Sequence, residues 1–588
     1  MQQPADTLAD FTAGREFHPA PKTRYLISIT IPITLYAHLC DLSIPNSSAH
    51  RPLKFVYLSD FVQHAYILLA TIYSECYTIL HSNSTQYSVY IKKVLLSIHA
   101  KTSSAKYDLH DTEHAAVKGD SETIMENTAQ QTKPAENKMG TMPVGKLLLQ
   151  ISLPIIISML IQAMYNIVDS MYVSRINEEA LTAVSLIFPM QNLMISIATG
   201  TCVGINALLS RALGAKEFHQ ANRIAQHAIF LTVISSVIVS AFMLVMAVPF
   251  MRVQTSDPMI FQYGVTYMRI CGGICFGIFF QVCMERLLTS TGKTIFTMTS
   301  QMTGAILNII FDPILIFGIG PFPKMGVAGA AYATIFGQCV AALLGFWLNL
   351  RYNKEISLSM RRFRPNGHLI GTIYKIGIPS IVMTSIGSVM TFGMNMIFMQ
   401  FLGNPTGAAV FGIYFKLNSI FFMPVFGLNN GVVPIVAFNY GARHRKRIME
   451  TTKLGVLAAV CLMLAGLAAF WLIPDKLLAL FNASENMLSI GVPALRIISL
   501  SFIFAGYCII VGSTMQALGK AVYSMINSLT RQLVVLLPSA FILAALTRDQ
   551  GGMPAIWYSY IIAELVSVAL TTFFFRRVYK NMIAPLPE

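Results

Sequence analysis

From residue 149 onward the chain alternates long apolar runs with short polar ones. The apolar runs cover 149–172, 181–209, 223–250, 263–288, 296–319, 327–350, 371–402, 409–436, 452–473, 491–516, 522–546 and 553–577. A helix rising about 1.5 Å per residue crosses a hydrocarbon core of about 30 Å in runs of this length. Some stretches, such as 228–250 and 454–474, contain no charge at all. Backbone in lipid has to satisfy its own hydrogen bonds, so such runs read as α-helices. The pattern predicts an all-α polytopic membrane protein with twelve transmembrane helices.

The loops carry a second pattern. Those after even-numbered spans, with the tail after the twelfth, hold 19 Lys and Arg; those after odd-numbered spans hold five. Cytoplasmic loops are enriched in these residues. Even loops and both termini are therefore expected in the cytoplasm, with the chain in the inner (plasma) membrane. An odd error in the span count would scramble this alternation, which supports twelve.

Composition agrees. Hydrophobic residues make up 54% of the 588 and charged residues 12%, against about 25% charged in soluble domains. A soluble enzyme and a disordered protein are excluded. Nine cysteines without a CxxC pair do not form a metal or disulfide framework. The net charge of +15 is mostly the loop signal above. No basic, aromatic-interleaved soluble domain is present, so no nucleic-acid partner is expected.

The front was drawn from another composition. Residues 1–138 hold 12 Lys/Arg against 13 Asp/Glu, and residues 139–588 hold 30 against 14. Only Gly14 and Gly119 of 38 glycines precede residue 139, and eight of 12 histidines do. Residues 101–138 are polar and aperiodic, the mark of a poorly ordered segment. The working protein is expected to begin at Met125 or Met139, with the front an over-extended reading frame. A regulatory extension is the alternative.

The chain also repeats. Leu153-Pro154 recurs as Ile378-Pro379 at an offset of 225. Gly214-Ala215-Lys216 recurs as Gly441-Ala442-Arg443, Arg269-Ile270 as Arg496-Ile497 and Gly292-Lys293 as Gly519-Lys520, all at 227. Each repeat holds six spans, so the repeats are parallel: an N-lobe at 139–365 and a C-lobe at 366–588. Repeats of this kind are typical of secondary transporters, with the substrate path between them. The stretch Ser290-Thr291-Gly292-Lys293-Thr294 looks like the end of a phosphate-binding loop, but that pattern needs Gly where Leu287 stands. ATP is thus excluded as direct fuel, leaving an ion gradient for uphill transport.

Four acids lie inside apolar runs: Asp169, Glu285, Asp312 and Glu564. A charge at that depth is costly, which makes function the default reading. Buried carboxylates can exchange a proton, and the same oxygens can ligate Na⁺. Asn308 precedes Asp312 by one helical turn, so the two share a face. Glu285 adjoins Arg286, which makes a local pair an equal alternative, and Glu564 has no evident partner. The C-lobe spans carry bases instead, Lys416, Arg496 and Arg531. These bases are expected to line a cavity, with pairing to the acids or snorkelling as the alternatives, and Asn395, Asn418, Asn429 and Asn430 add polar groups on spans 7 and 8. The 32 Met and 37 Phe suit a cavity accepting varied ligands.

These features together resemble the multidrug and toxic compound extrusion (MATE) family, over about residues 139–588. The resemblance rests on Leu153-Pro154, Tyr165-Asn166-Ile167-Val168-Asp169, Ala183-Val184-Ser185 and Gly214-Ala215. Asn308-Ile309-Ile310-Phe311-Asp312-Pro313 and Gly326-Val327-Ala328-Gly329-Ala330-Ala331 complete it. It implies two six-helix lobes forming a V, alternating access, and export of organic, often cationic compounds against H⁺ or Na⁺. It also implies a bacterial-type branch with the coupling cation in the first lobe, at Asp169, Asn308, Asp312 and the hydroxyl of Thr334. Pro154 matches the first-helix proline where bending has been proposed. Spans 7 and 10 lack the acids of another branch. Glu285, Asn395, Lys416, Asn430, Arg531 and Glu564 are the substrate-cavity candidates. No metal is expected beyond Na⁺ at Asp169, Asn308 and Asp312, and no cofactor. The expected partners are small organic substrates and the bilayer, and the chain is expected to act as a monomer. The alternative within transport is a lipid-linked saccharide flippase, against which twelve spans and first-lobe acids argue. An intramembrane enzyme would need a catalytic set, and of the histidines after residue 138 only His227 falls in a span.

Overall fold

A computed structural model describes residues 137–361, 363–481, 484–547 and 553–587. The expectations for residues 1–136 lie outside the described residues. Twelve segments run in antiparallel succession: α1 (Val144–Ser174), α2 (Glu178–Gly214), α3 (Phe218–Gln254), α4 (Pro258–Gly273 and Phe276–Ser290), α5 (Thr294–Phe317) and α6 (Val327–Tyr352). The second half holds α7 (Gly367–Met396), α8 (Pro405–Gly441), α9 (Arg445–Leu472), α10 (Glu485–Ser499 and Phe502–Ala517), α11 (Ala521–Leu546) and α12 (Tyr558–Val578). Ten helices are each long and apolar enough to cross a membrane, and α4 and α10 make twelve if each bent pair is one span. No strand occurs among the described residues.

The local devices recur in register. Asn177 caps α2 by accepting from the Ala180 N–H at 2.8 Å, and Asn404, 227 residues on, caps α8 by accepting from Gly407 at 3.0 Å. Asp257 caps α4, and Ser484, again 227 on, caps α10. Lys216 and Arg443 turn the chain after α2 and α8 with φ of 60°, and Gly292 and Gly519 turn it after α4 and α10 with φ of 76° and 79°.

The fourth and tenth runs read as continuous in sequence, yet each helix breaks at the same place in its repeat. The bends are 43° and 45°. Gly272-Gly273 weaken α4 there, and the Gly273 carbonyl, freed by the break, accepts from Ser240 Oγ at 2.7 Å. In α10, Ser501 Oγ donates to the Ile498 carbonyl at 2.7 Å. Among the described residues of the C-lobe, π turns occur at Ile397–Phe401, Thr530–Leu536 and Tyr579–Ile583.

The start of α1 and the end of α12 share one end of the bundle, here called the terminal end; the opposite end is distal. The lobes meet through α1 against α8 and α2 against α7. Gly200 and Gly204 of α2 face Ile381 and Ile373, while Gly427 and Gly431 of α8 face Ile156 and Ser152. Without a Cβ these backbones approach closely. Gly214 and Gly441 meet at the terminal end, where a Cβ on the first would collide with the Phe438 carbonyl and one on the second with that of Arg211. One buried core joins both lobes at this end and fills the C-lobe. The distal N-lobe has a separate core around Val168, Ile187, Met243, Tyr267 and Ile316, with no C-lobe member.

Candidate functional site

Asp169, Asn308, Asp312 and Thr334 come from three helices and converge in the distal half of the N-lobe. Glycine sets the spacing. Gly304 of α5 and Gly337 of α6 press together so closely that a Cβ at Gly337 would lie 2.6 Å from the Gly304 carbonyl oxygen. One turn along, Asn308 Nδ2 donates to Thr334 Oγ1 and to Asp312 Oδ1, both at 3.2 Å. On the α1 side, Gln301 Nε2 donates to Gln162 Oε1 at 2.8 Å. That bond ties α5 to α1 two turns before Asp169, whose carboxyl comes within hydrogen-bonding reach of Asp312.

Asp312 is fully buried and Asn308 nearly so. Three oxygens at this junction, Asp169 Oδ1, Asp312 Oδ2 and Asn308 Oδ1, are buried without a hydrogen-bond partner. Two carboxylates in contact repel, so they are stable with a proton shared between them or a cation beside them. Partnerless carboxylate and amide oxygens, with the Thr334 hydroxyl adjoining, are also the donor set a hard cation takes. Among the described residues no cluster of three or more His, Cys, Asp or Glu is placed to hold a metal ion.

The other residues singled out by sequence are scattered. Pro154 lies within α1, and the carbonyl of Gln150, which its missing N–H leaves free, is met by Thr294 Oγ1 at 3.5 Å. Glu285 is buried and bonded to Gln281 Nε2 at 2.9 Å on its own helix, not to Arg286. Arg286 instead crosses the lobe boundary and donates to Asn430 Oδ1 at 2.9 Å. Asn395 is exposed. Lys416 is exposed as well, with its Nζ 6.0 Å from the ring centre of Phe481 in the distal connection after α9. Glu564, which the sequence leaves alone, is ion-paired with Arg531.

Sequence reasoning missed the terminal-end fastening. Arg447 donates to the carbonyls of Met139 at 3.0 Å and Met142 at 2.7 Å, and to Asn439 Oδ1 at 2.9 Å. The same short segment reaches the N-lobe through Asn137 Nδ2, which donates to Glu355 Oε2 at 2.6 Å. Glu355 also pairs with Lys293 at 3.5 Å. Burial, with Lys293 nearby, holds the Lys138 ammonium below the usual lysine range. Residues 137–142 thus tie both lobes together. The one sequence signal was the arginine-rich start of α9.

Known proteins place this arrangement. The family model described as MatE matches residues 154–314 and again 379–542, one match per repeat. The multidrug export protein MepA of Staphylococcus haemolyticus is 26% identical over 437 residues, 73% of this chain and 93% of its own. An FAD transporter of Shewanella oneidensis is 28% identical over 436 residues, 72% of this chain and 92% of its own. A crystal structure of MATE in complex with MaL6 superposes with a TM-score of 0.72 at 25% identity, covering 76% of this chain and 99% of that one. The relatives are transporters, and the twelve-helix fold is theirs.

Proposed function

The chain belongs to the MatE family of multi-helix membrane transporters, and from that premise we propose that it is a secondary active exporter of organic compounds driven by H⁺ or Na⁺ entry. The observation that carries the reading is the set of three partnerless buried oxygens on Asp169, Asp312 and Asn308. In the outward-facing protein a cation enters there and neutralises the facing carboxylates, and substrate leaves outward. The lobes then rock about the seam of α1, α2, α7 and α8, the terminal-end contacts part, and the cation leaves inward. The 19-to-five division of Lys and Arg between the loops supports a cytoplasmic terminal end. The MepA relative supports drug-like substrates. Exposed Asn395 and Lys416 remain open to substrate, whereas Glu285, Asn430, Arg531 and Glu564 are engaged with protein partners. No cofactor takes part, and a single chain suffices.

Efflux from proteoliposomes under separately imposed pH and Na⁺ gradients tests this. One of the two gradients should drive export of an organic cation such as ethidium. Equal efflux with and without either gradient would overturn the antiport.

A further inference from the structure

Six of the 15 buried side-chain atoms left without a partner among the described residues lie in one place, on α11 and α12 of the C-lobe and the turn that leads into α12. They are Asn527 Oδ1, Trp557 Nε1, Ser559 Oγ, Tyr560 Oη, Glu564 Oε2 and Thr571 Oγ1. Trp557, Tyr560, Glu564, Ser567 and Thr571 follow one another at steps of three and four, so all five share one face of the helix. That face is buried against the lobe interior, and its polar groups extend over roughly 21 Å at the α-helical rise. Glu564 sits at its middle. One oxygen contacts the Arg531 guanidinium and the other, Oε2, has no partner. Arg531 itself lies in the π turn of α11, a local irregularity frequent at functional sites.

A buried ion pair that serves only structure is expected to have its remaining polar atoms satisfied. The Arg531–Glu564 pair leaves Glu564 Oε2 without a partner. We propose that Glu564 is a second proton-exchange site of the transport cycle, with Arg531 as its resident counter-ion and the polar face of α12 as the proton's route. The proton adds to the free Oε2 and leaves from it, while Arg531 holds Oε1. Arg531 in contact repels a metal cation, so the exchanged ion here is H⁺ whichever cation the N-lobe takes. The titratable groups facing Glu564 are Arg531 of α11, Tyr414 of α8 and Cys508 of α10, with Tyr560 one turn before it on the same face of its own helix. Arg496 in the first half of α10 is exposed and outside this set. The proposal rests on the antiport reading.

Acid-induced infrared difference spectra of the full chain in liposomes read the C=O stretch of a carboxyl that gains a proton. In an Asp169→Asn/Asp312→Asn background, one such band should persist and be lost on adding Glu564→Gln. In the otherwise unaltered protein, Glu564→Gln should exchange one proton fewer per substrate exported. A guanidinium left alone can prevent folding, so Arg531→Met/Glu564→Met serves as the second variant, with the same two losses expected. Spectra unchanged by either variant would show a static ion pair and overturn the proposal. A lost band with an unchanged proton count would overturn it too, because the proton would not then belong to the cycle. Failure of the N-lobe reading looks different: the background variant would export at the undiminished rate.

Discussion

The two lobes share a backbone plan and differ in their buried charge. Caps, left-handed turns and bends recur at 226 or 227 residues. The interior charges do not. In the N-lobe two acids face each other, and among the described residues no basic side chain pairs with either. In the C-lobe an acid carries its own arginine. At an offset of 225, Asp169 corresponds to Met394, and no acid stands at offsets of 225 to 227 from Asp312. A like-charged pair needs a mobile cation to be stable, whereas the Glu564 carboxylate has a fixed counter-ion at one of its oxygens. On the proposed cycle the exchangeable charge lies first in the N-lobe.

Asp312→Asn attacks the difference at its centre. It should reduce gradient-driven export to that of empty liposomes while leaving the unfolding temperature near its original value, because the change removes a repulsion. The opposite holds in the C-lobe. Arg531→Met should cost about 3–5 kcal/mol by leaving Glu564 buried without its counter-ion, and Arg531→Met/Glu564→Met should recover most of that. Unfolding in detergent measures both. If the single and double variants were equally stable, the two lobes would not differ as described.

Substitutions at the repeat mates test the shared part. Gly214→Ala and Gly441→Ala each drive a methyl into a carbonyl across the lobe seam. Each should cost about 1–3 kcal/mol or somewhat more, and by similar amounts. Arg447→Ala should cost about 1–3 kcal/mol through the acceptors it leaves unpaired. It should also raise labelling of a cysteine placed at Gly140. Asn137→Ala, which loses the bond to Glu355 and the cap on the Met139 N–H of a single-turn helix, should have the smallest effect, about 0.5–1.5 kcal/mol. Labelling that ignores both variants would remove residues 137–142 from the lobe contact.

Much of this was legible in sequence because the bilayer imposes simple rules. Twelve runs, parallel repeats and the intramembrane acids follow from hydropathy and spacing. The pairing of Asp312 with Asn308 follows from helical periodicity, and Thr334 came from the family resemblance. Pairing of the C-lobe bases with the acids was one open reading, but that Arg531 meets Glu564 in particular did not follow. They lie 33 residues apart on different helices, and contact depends on how far each helix is rotated, which a π turn at Arg531 alters. The bends of α4 and α10 were hidden because serine groups meet the carbonyls at each break, Ser240 at Gly273 and Ser501 at Ile498, without any change in apolarity. Arg286 read as a neighbour of Glu285, yet its partner lies in the other lobe.

On the proposed cycle, cation occupancy of the Asp169–Asp312 pair opposes substrate binding. If it does, cation and substrate affinities are reciprocally linked. The most direct measurement is ethidium affinity in purified protein, titrated against pH and against Na⁺, for the unaltered chain, Asp312→Asn and Glu564→Gln. The account predicts affinity that falls as the coupling cation rises, a dependence that collapses in Asp312→Asn, and one that survives at least in part in Glu564→Gln. An Asp312→Asn protein that keeps the full cation dependence would contradict it.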